Sequence, residues 1–187
     1  ILWTYISTVI NEGCLAFISS DAVIKQLPIP MFLHVMRVIW RNLVILVHNV
    51  IIIPLLFLVF LRPLDPVAFL AIPGLVLSTL TLAWVALLAG LLCTRYRDLS
   101  QIVASVLQIA FYVTPIIWMP SMLSGRKEFI FLDVNPFYHL IEVVRAPLLG
   151  SAPTYTNWIV SIGMALIGWF ITLAIYGKYK NRISYWL

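Results

Sequence analysis

Four polar side chains, Gln101, Ser105, Gln108 and Tyr112, recur at intervals of four, three and four residues, a spacing that places them on one face of a helix. Their amides and hydroxyls exchange hydrogen bonds without carrying charge, so the stripe either lines a path for a polar solute or packs on another helix. Acid–base and metal chemistry find less to work with. His34, His48 and His139 are expected at an inner end, mid-span and outside, and Glu12, beside Asn11, is the only acid well inside an apolar run. General acid–base catalysis needs partners within hydrogen-bond reach at one depth. Cys14 and Cys93 lie inside apolar runs, and no Cys/His cluster has metal-ligand spacing, which sets aside a disulfide scaffold and a zinc module. There is no Gly-rich phosphate loop ending in Lys-Ser or Lys-Thr, so ATP hydrolysis by that route is excluded.

The elements that must position the stripe follow from composition. Of 187 residues, 63% are hydrophobic and 10% charged, whereas a soluble domain carries roughly 45–50% apolar and about 25% charged residues. This is a membrane composition. The net charge of +5 comes from short clusters between uncharged runs, which does not make a nucleic-acid footprint. A crossing needs about 20 apolar helical residues, and five stretches qualify: residues 1–19, 42–61, 67–93, 102–119 and 158–176. Period-2 alternation is absent, so helices must satisfy the backbone. The expected fold class is an all-α polytopic membrane protein, one helical bundle over residues 1–187 with short outer re-entrant or interfacial helices. Pro54 is placed to kink the second span.

Lys25, Arg37, Arg41, Arg95, Arg97, Lys178, Lys180 and Arg182 fall on one side of these spans, against Arg62, Arg126, Lys127 and Arg145 on the other, each of the latter near an acid. The first side is therefore expected to be cytoplasmic, with the C-terminus there. Trp3, Tyr5, Trp118, Trp158, Tyr176, Tyr179 and Trp186 are expected near the headgroup regions. The chain opens at Ile1 inside an apolar run without a basic flank or small-residue cleavage site, so a signal peptide does not fit. The expectation is a piece that lacks its N-terminus, with one helix preceding Ile1.

Two inner segments carry their own signals. In residues 20–30, Ser20 is placed to cap a helix, Asp21 sits in its first turn and Pro28 ends it, giving a helix of about two turns. Val23, Ile24 and Leu27 share one face while Asp21 and Lys25 stay polar, a pattern for lying on the membrane surface or docking in a partner's groove. Pro30 suits the first turn of the next helix, which enters lipid near Arg37 and Arg41. The second segment, Tyr96-Arg97-Asp98, is a tight charged turn.

The outer segment, residues 120–156, is too long for a hairpin turn and too apolar for a solvated loop. Asn135 is placed to cap a helix with Pro136 at its first position and Gly150 beyond its end. Phe137, Leu140, Ile141 and Val144 form its apolar face, with Tyr138, Glu142 and Arg145 opposite, the last two one turn apart and able to pair. A re-entrant element at this depth would imply a water-filled path or protein around it, which makes transport the leading class. Gly74, Ser78, Thr79, Thr81, Gly90, Ser161, Gly163 and Gly168 read as packing residues.

The capped segment of residues 20–30, the loop Arg95-Tyr96-Arg97-Asp98-Leu99, and Asn135-Pro136-Phe137-Tyr138 leading to Arg145 and Leu149-Gly150 together resemble the membrane subunit of bacterial ABC exporters for lipid-linked polysaccharide, of the O-antigen, capsule or teichoic acid type. The similarity runs from the second of that family's six helices to the basic C-terminal tail. It departs in the first helix and its preceding amphipathic segment. The resemblance implies a homodimeric, multi-pass permease of the inner membrane. It would bind no cofactor itself and be driven by a separate ATP-binding subunit that holds ATP and Mg. By the same resemblance, Asp21, Val23, Ile24, Lys25 and Leu27 with Tyr96, Arg97 and Asp98 couple to the ATPase. Gln108, Tyr112 and Trp118 are candidates to line the glycan path. Asn135, Pro136, Phe137, Tyr138, Glu142 and Arg145 belong to the outer gate. The alternatives are a permease for drugs or small lipids and a membrane-embedded polyprenyl-sugar transferase.

Overall fold

The computed structural model describes residues 1–27, 29–59, 65–118 and 132–187. Pro28, the ends of the predicted second and fourth spans, and positions 119–131 of the outer segment lie outside the described residues. The described residues form helices α1 (Leu2–Leu15), α2 (Asp21–Gln26), α3 (Phe32–Val50), α4 (Ile52–Val59), α5 (Ala71–Arg95), α6 (Leu99–Val113), α7 (Pro136–Leu148), α8 (Tyr155–Tyr179) and α9 (Ile183–Trp186), with short 3₁₀ turns before α2, α5 and α9.

Among the described residues, three helices are long and apolar enough to cross a membrane: Phe32–Val59 with 28 residues, Pro66–Arg95 with 30 and Tyr155–Tyr179 with 25. The other two predicted spans are shorter helices, α1 with 14 residues and α6 with 15. The reason is local. Thr114 precedes Pro115, whose ring pushes it to extended backbone (φ −78°, ψ 137°), so α6 stops at Val113 although the apolar run continues. In the opposite direction, α3 starts at Phe32, ten residues before the predicted span, because Arg37 and Arg41 are tolerated within the helix. The α3–α4 rod breaks at Ile51, three residues ahead of Pro54, which has no N–H for the carbonyl of Val50.

The central rod is α5, which carries α1, α3, α6, α7 and α8 around it. Of its most apolar stretch 44% is buried inside the protein, against 11% for Phe32–Val59, so one rod is core and the other periphery. Its small residues explain the position. A Cβ on Gly74 would collide with the carbonyl of Val143 in α7, and one on Gly90 would lie 2.9 Å from the carbonyl oxygen of Gly13 in α1. Ser78 donates 3.0 Å to the carbonyl of Leu140, a second link between α5 and α7. Tyr5, expected near a headgroup region, is instead buried against α5, where its hydroxyl meets that of Thr79 at 3.1 Å. Outward-facing Trp40, Val44, Phe69, Leu166 and Phe170 are exposed, as lipid contact requires and water would not favour.

Candidate transport path and coupling surface

Helix α6 presents three different faces. Leu107 is buried against the core with Val103 beside it. Ile102, Val106 and Ile109 form an exposed apolar face, and Gln101, Ser105, Gln108 and Tyr112 form an exposed polar one. At 3.6 residues per turn these faces lie roughly a third of a turn apart. Among the described residues nothing packs over the polar stripe, so packing within this chain, one of the two readings of its spacing, is not found there. Trp118 does not extend the stripe; its indole folds back and donates 3.1 Å to the carbonyl of Tyr112, covering an orphan acceptor at the end of α6.

Beyond that end, α7 is held by polar links from both of its termini. The Asn135 carboxamide oxygen caps α7, accepting from the backbone of Phe137 at 3.0 Å and of Tyr138 at 3.4 Å, while its nitrogen donates 3.0 Å to Thr114 Oγ1. Pro136 occupies the first turn, and the far end closes at Gly150 with φ +85°, a conformation that glycine adopts without strain. Arg145 pairs with Glu142 at 2.5 Å and donates 2.6 Å to the carbonyl oxygen of Pro115. The sequence places Glu142 and Arg145 on a polar outer face, but the structure takes α7 into the protein, and both side chains are mostly buried, 18% and 26% exposed. Phe137 packs edge-on against Trp3, which also meets Phe111, so α1, α6 and α7 share one aromatic contact. Tyr138 meets the His139 ring edge-on, with centroids 5.4 Å apart. Both ring nitrogens of the buried His139 are engaged, Nδ1 with Asn157 of α8 at 2.8 Å and Nε2 with the carbonyl of Asp133 at 2.9 Å. That makes it a joint between helices.

At the opposite end, α2 is a six-residue helix. Asp21 pairs with Lys25 at 2.8 Å, one turn apart, and Ile24 is buried, which leaves Val23 and Leu27 exposed one turn apart. The three apolar residues thus divide between core and surface. Ser20 does not cap α2: its buried hydroxyl accepts instead from Arg37 Nη2 at 3.4 Å. Tyr96, Arg97 and Asp98 are all exposed in the turn between α5 and α6. Arg95 beside them lies 5.3 Å from the ring centres of both Tyr96 and Trp186, and this contact with the fully buried Ile183 folds α9 onto the end of α5.

Sequence reasoning missed the partners of Glu12. Its Oε2 receives Arg41 Nη2 at 2.6 Å and Asn42 Nδ2 at 2.5 Å, tying α1 to α3. The available signal was the one-turn spacing of Arg37 and Arg41 opposite a lone acid in the preceding span.

A helical bundle with membrane-length apolar helices, whose described residues leave one helix face polar and uncovered, has the form of a transport domain. Residues 1–149 match the family model described as ABC-2 type transporter, and the chain belongs to that family. It is a membrane permease domain, not a catalytic one. Permeases of this family bind no cofactor, pair with ATP-binding subunits and are typical of the cytoplasmic membrane. No curated protein matches the chain significantly.

Proposed function

We propose that this chain is the permease subunit of an exporter of lipid-linked polysaccharide, acting as a homodimer in the bacterial inner membrane and driven by a separate ATP-binding subunit. The observation that carries this reading is the uncovered polar face of α6. Amides, a hydroxyl and a phenol at this depth are costly against lipid, and none of the described helices shields them. A second copy placed against this face would enclose a path lined by Gln108 and Tyr112. A sugar chain needs weak, repeated contacts there, which amides and aromatic rings supply without trapping it. In this reading α1 and α6 complete five crossings. α2 and the turn Tyr96-Arg97-Asp98 face the ATPase, while Asn135, Pro136, Phe137, Tyr138, Glu142 and Arg145 form the exit gate. Nucleotide-driven closure of the motor subunits would then displace α2 and be passed along rigid rods to α7.

A permease for a drug or small lipid is the second reading, and one observation favours it. A largely apolar cavity of about 660 Å³ opens between the start of α1, the α3–α4 rod, the start of α5 and α7, with Leu46, Pro54, Leu75 and Ile141 on its walls. Proteoliposomes containing the permease and its ATPase separate the two. Translocation of an undecaprenyl-linked oligosaccharide that depends on ATP and is lost in Gln108→Leu/Tyr112→Leu supports the polysaccharide reading. ATP-dependent movement of a short-chain fluorescent lipid alone replaces it with the second.

A further inference from the structure

Helix α2 is poorly built to transmit force by itself. It has six residues and buries only Ile24; it is preceded by the 3₁₀ turn Ile18–Ser20 and followed by Leu27 in extended backbone at φ −123° and ψ 134°. A push on such an element is absorbed at its two ends unless its flanks are tied together. Two arginines on α3, one turn apart, supply ties. Arg41 reaches Glu12 near the end of α1, and Arg37 reaches Ser20, the residue that opens into α2. Asn42 strengthens the first tie: buried between the helices, it uses one amide hydrogen on Glu12 and the other on the carbonyl of Val38 in its own helix, at 2.9 Å. A buried carboxamide with both hydrogens placed fixes the rotation of α3 about its axis as well as its distance from α1.

We propose that Glu12 and Arg41, with Ser20 and Arg37, are positioning residues that make α1, α2 and α3 a single lever, so that ATP-driven displacement of α2 moves α3 with it. The inference rests on α2 being the element that docks on the ATPase.

The test uses the permease co-purified with its ATP-binding subunit and reconstituted in nanodiscs, with Cys14 and Cys93 replaced by Ala. Spin labels go on the exposed positions Gln26→Cys of α2 and Trp40→Cys of α3, and their separation is measured without nucleotide and after trapping with Mg-ATP and vanadate. A lever keeps the separation within about 2 Å between the two states. Glu12→Arg and Arg41→Glu, which set like charges against each other, make the separation change on trapping. The exchange Glu12→Arg/Arg41→Glu restores constancy, as does Arg41→Lys. Glu12→Gln, which keeps the shape and the bond from Asn42, shows an intermediate change and serves where the reversed charge prevents insertion. Constant separation in the single variants, or loss that the exchange does not repair, overturns the proposal. Val23→Glu separates this from failure of the docking reading. If Val23→Glu leaves assembly with the ATPase intact, and Leu27→Glu and Asp21→Asn do so too, the docking reading is wrong. If Val23→Glu breaks assembly while the Glu12 and Arg41 variants hold a constant separation, only the lever is wrong.

Discussion

Arg145 of α7 donates from Nη1 to the carbonyl oxygen of Pro115 at 2.6 Å, so a cation one turn from the end of one helix closes the buried turn that ends another, α6. The same guanidinium holds Glu142. Its removal strands two acceptors in a mostly buried place, so Arg145→Met is expected to cost about 2–3 kcal/mol. Glu142→Gln/Arg145→Met, which removes the uncompensated charge, is expected to cost less than the single change. Melting of the detergent-solubilised protein in a double-variant cycle checks both statements. Equal loss in the two variants would mean that the carboxylate is not relying on this partner.

The close approach of α5 and α7 gives a sharper contrast. Gly74 has no room for a Cβ because the Val143 carbonyl fills the space, and the obstacle is backbone that cannot rotate away. Gly74→Ala is therefore expected to destabilise by about 1–3 kcal/mol, as overpacking does. Gly163 of α8 meets nothing within 4 Å, so Gly163→Ala is expected to be neutral or to stabilise by up to about 1 kcal/mol through helix propensity. Thermal inactivation of the two variants side by side decides whether α7 is seated on α5 as tightly as the structure has it.

What could be read in the sequence divides by distance along the chain. The start and stop of α7 were legible because Asn135, Pro136 and Gly150 act within one turn of their own backbone. The pair of Glu142 and Arg145 was legible for the same reason, although its burial was not, since that depends on α5 and α8 closing around it. Ser20 shows the limit of such local reading: a residue of the right type at the right place instead accepts a hydrogen bond from Arg37, 17 positions away. Glu12, Arg41 and Asn42 meet across 30 positions, and no spacing rule covers that. Span counting overran in α6 because hydropathy does not register what Thr-Pro does to backbone angles. The polar stripe on α6 was visible as periodicity, but only the fold distinguishes a packed stripe from an uncovered one.

That uncovered stripe predicts a labelling pattern. In a background with Cys14 and Cys93 replaced by Ala, Gln108→Cys and Ser105→Cys are expected to react with a membrane-impermeant maleimide at least about tenfold faster than Val106→Cys and Ile109→Cys, because thiolate formation needs water. All four positions are exposed, so the difference reports surroundings and not burial by this chain. Labelling of the apolar pair at the same rate would place both faces in one environment and remove the support for a polar path along α6.

On α2, burial and exposure separate structure from docking. Ile24 is buried in the core, so Ile24→Glu puts a charge where it has no partner and is expected to lower the yield of folded protein in the membrane. Val23 and Leu27 are exposed and lie one turn apart, so Val23→Glu and Leu27→Glu leave folding as it was. If this apolar pair sits in a groove of the ATP-binding subunit, each charge there has to be desolvated on docking and weakens the complex by about tenfold or more, by the ordinary behaviour of central apolar contacts. Co-purification of the two subunits and ATPase activity in nanodiscs then fall together in the Val23 and Leu27 variants, with normal membrane levels of the permease. Asp21→Asn removes the ion pair with Lys25 on an open surface and is expected to change assembly by less than about threefold, since exposed pairs contribute little. Loss of assembly in Asp21→Asn together with intact assembly in Val23→Glu would reverse the assignment, and would make the contact with the motor subunit electrostatic instead of apolar.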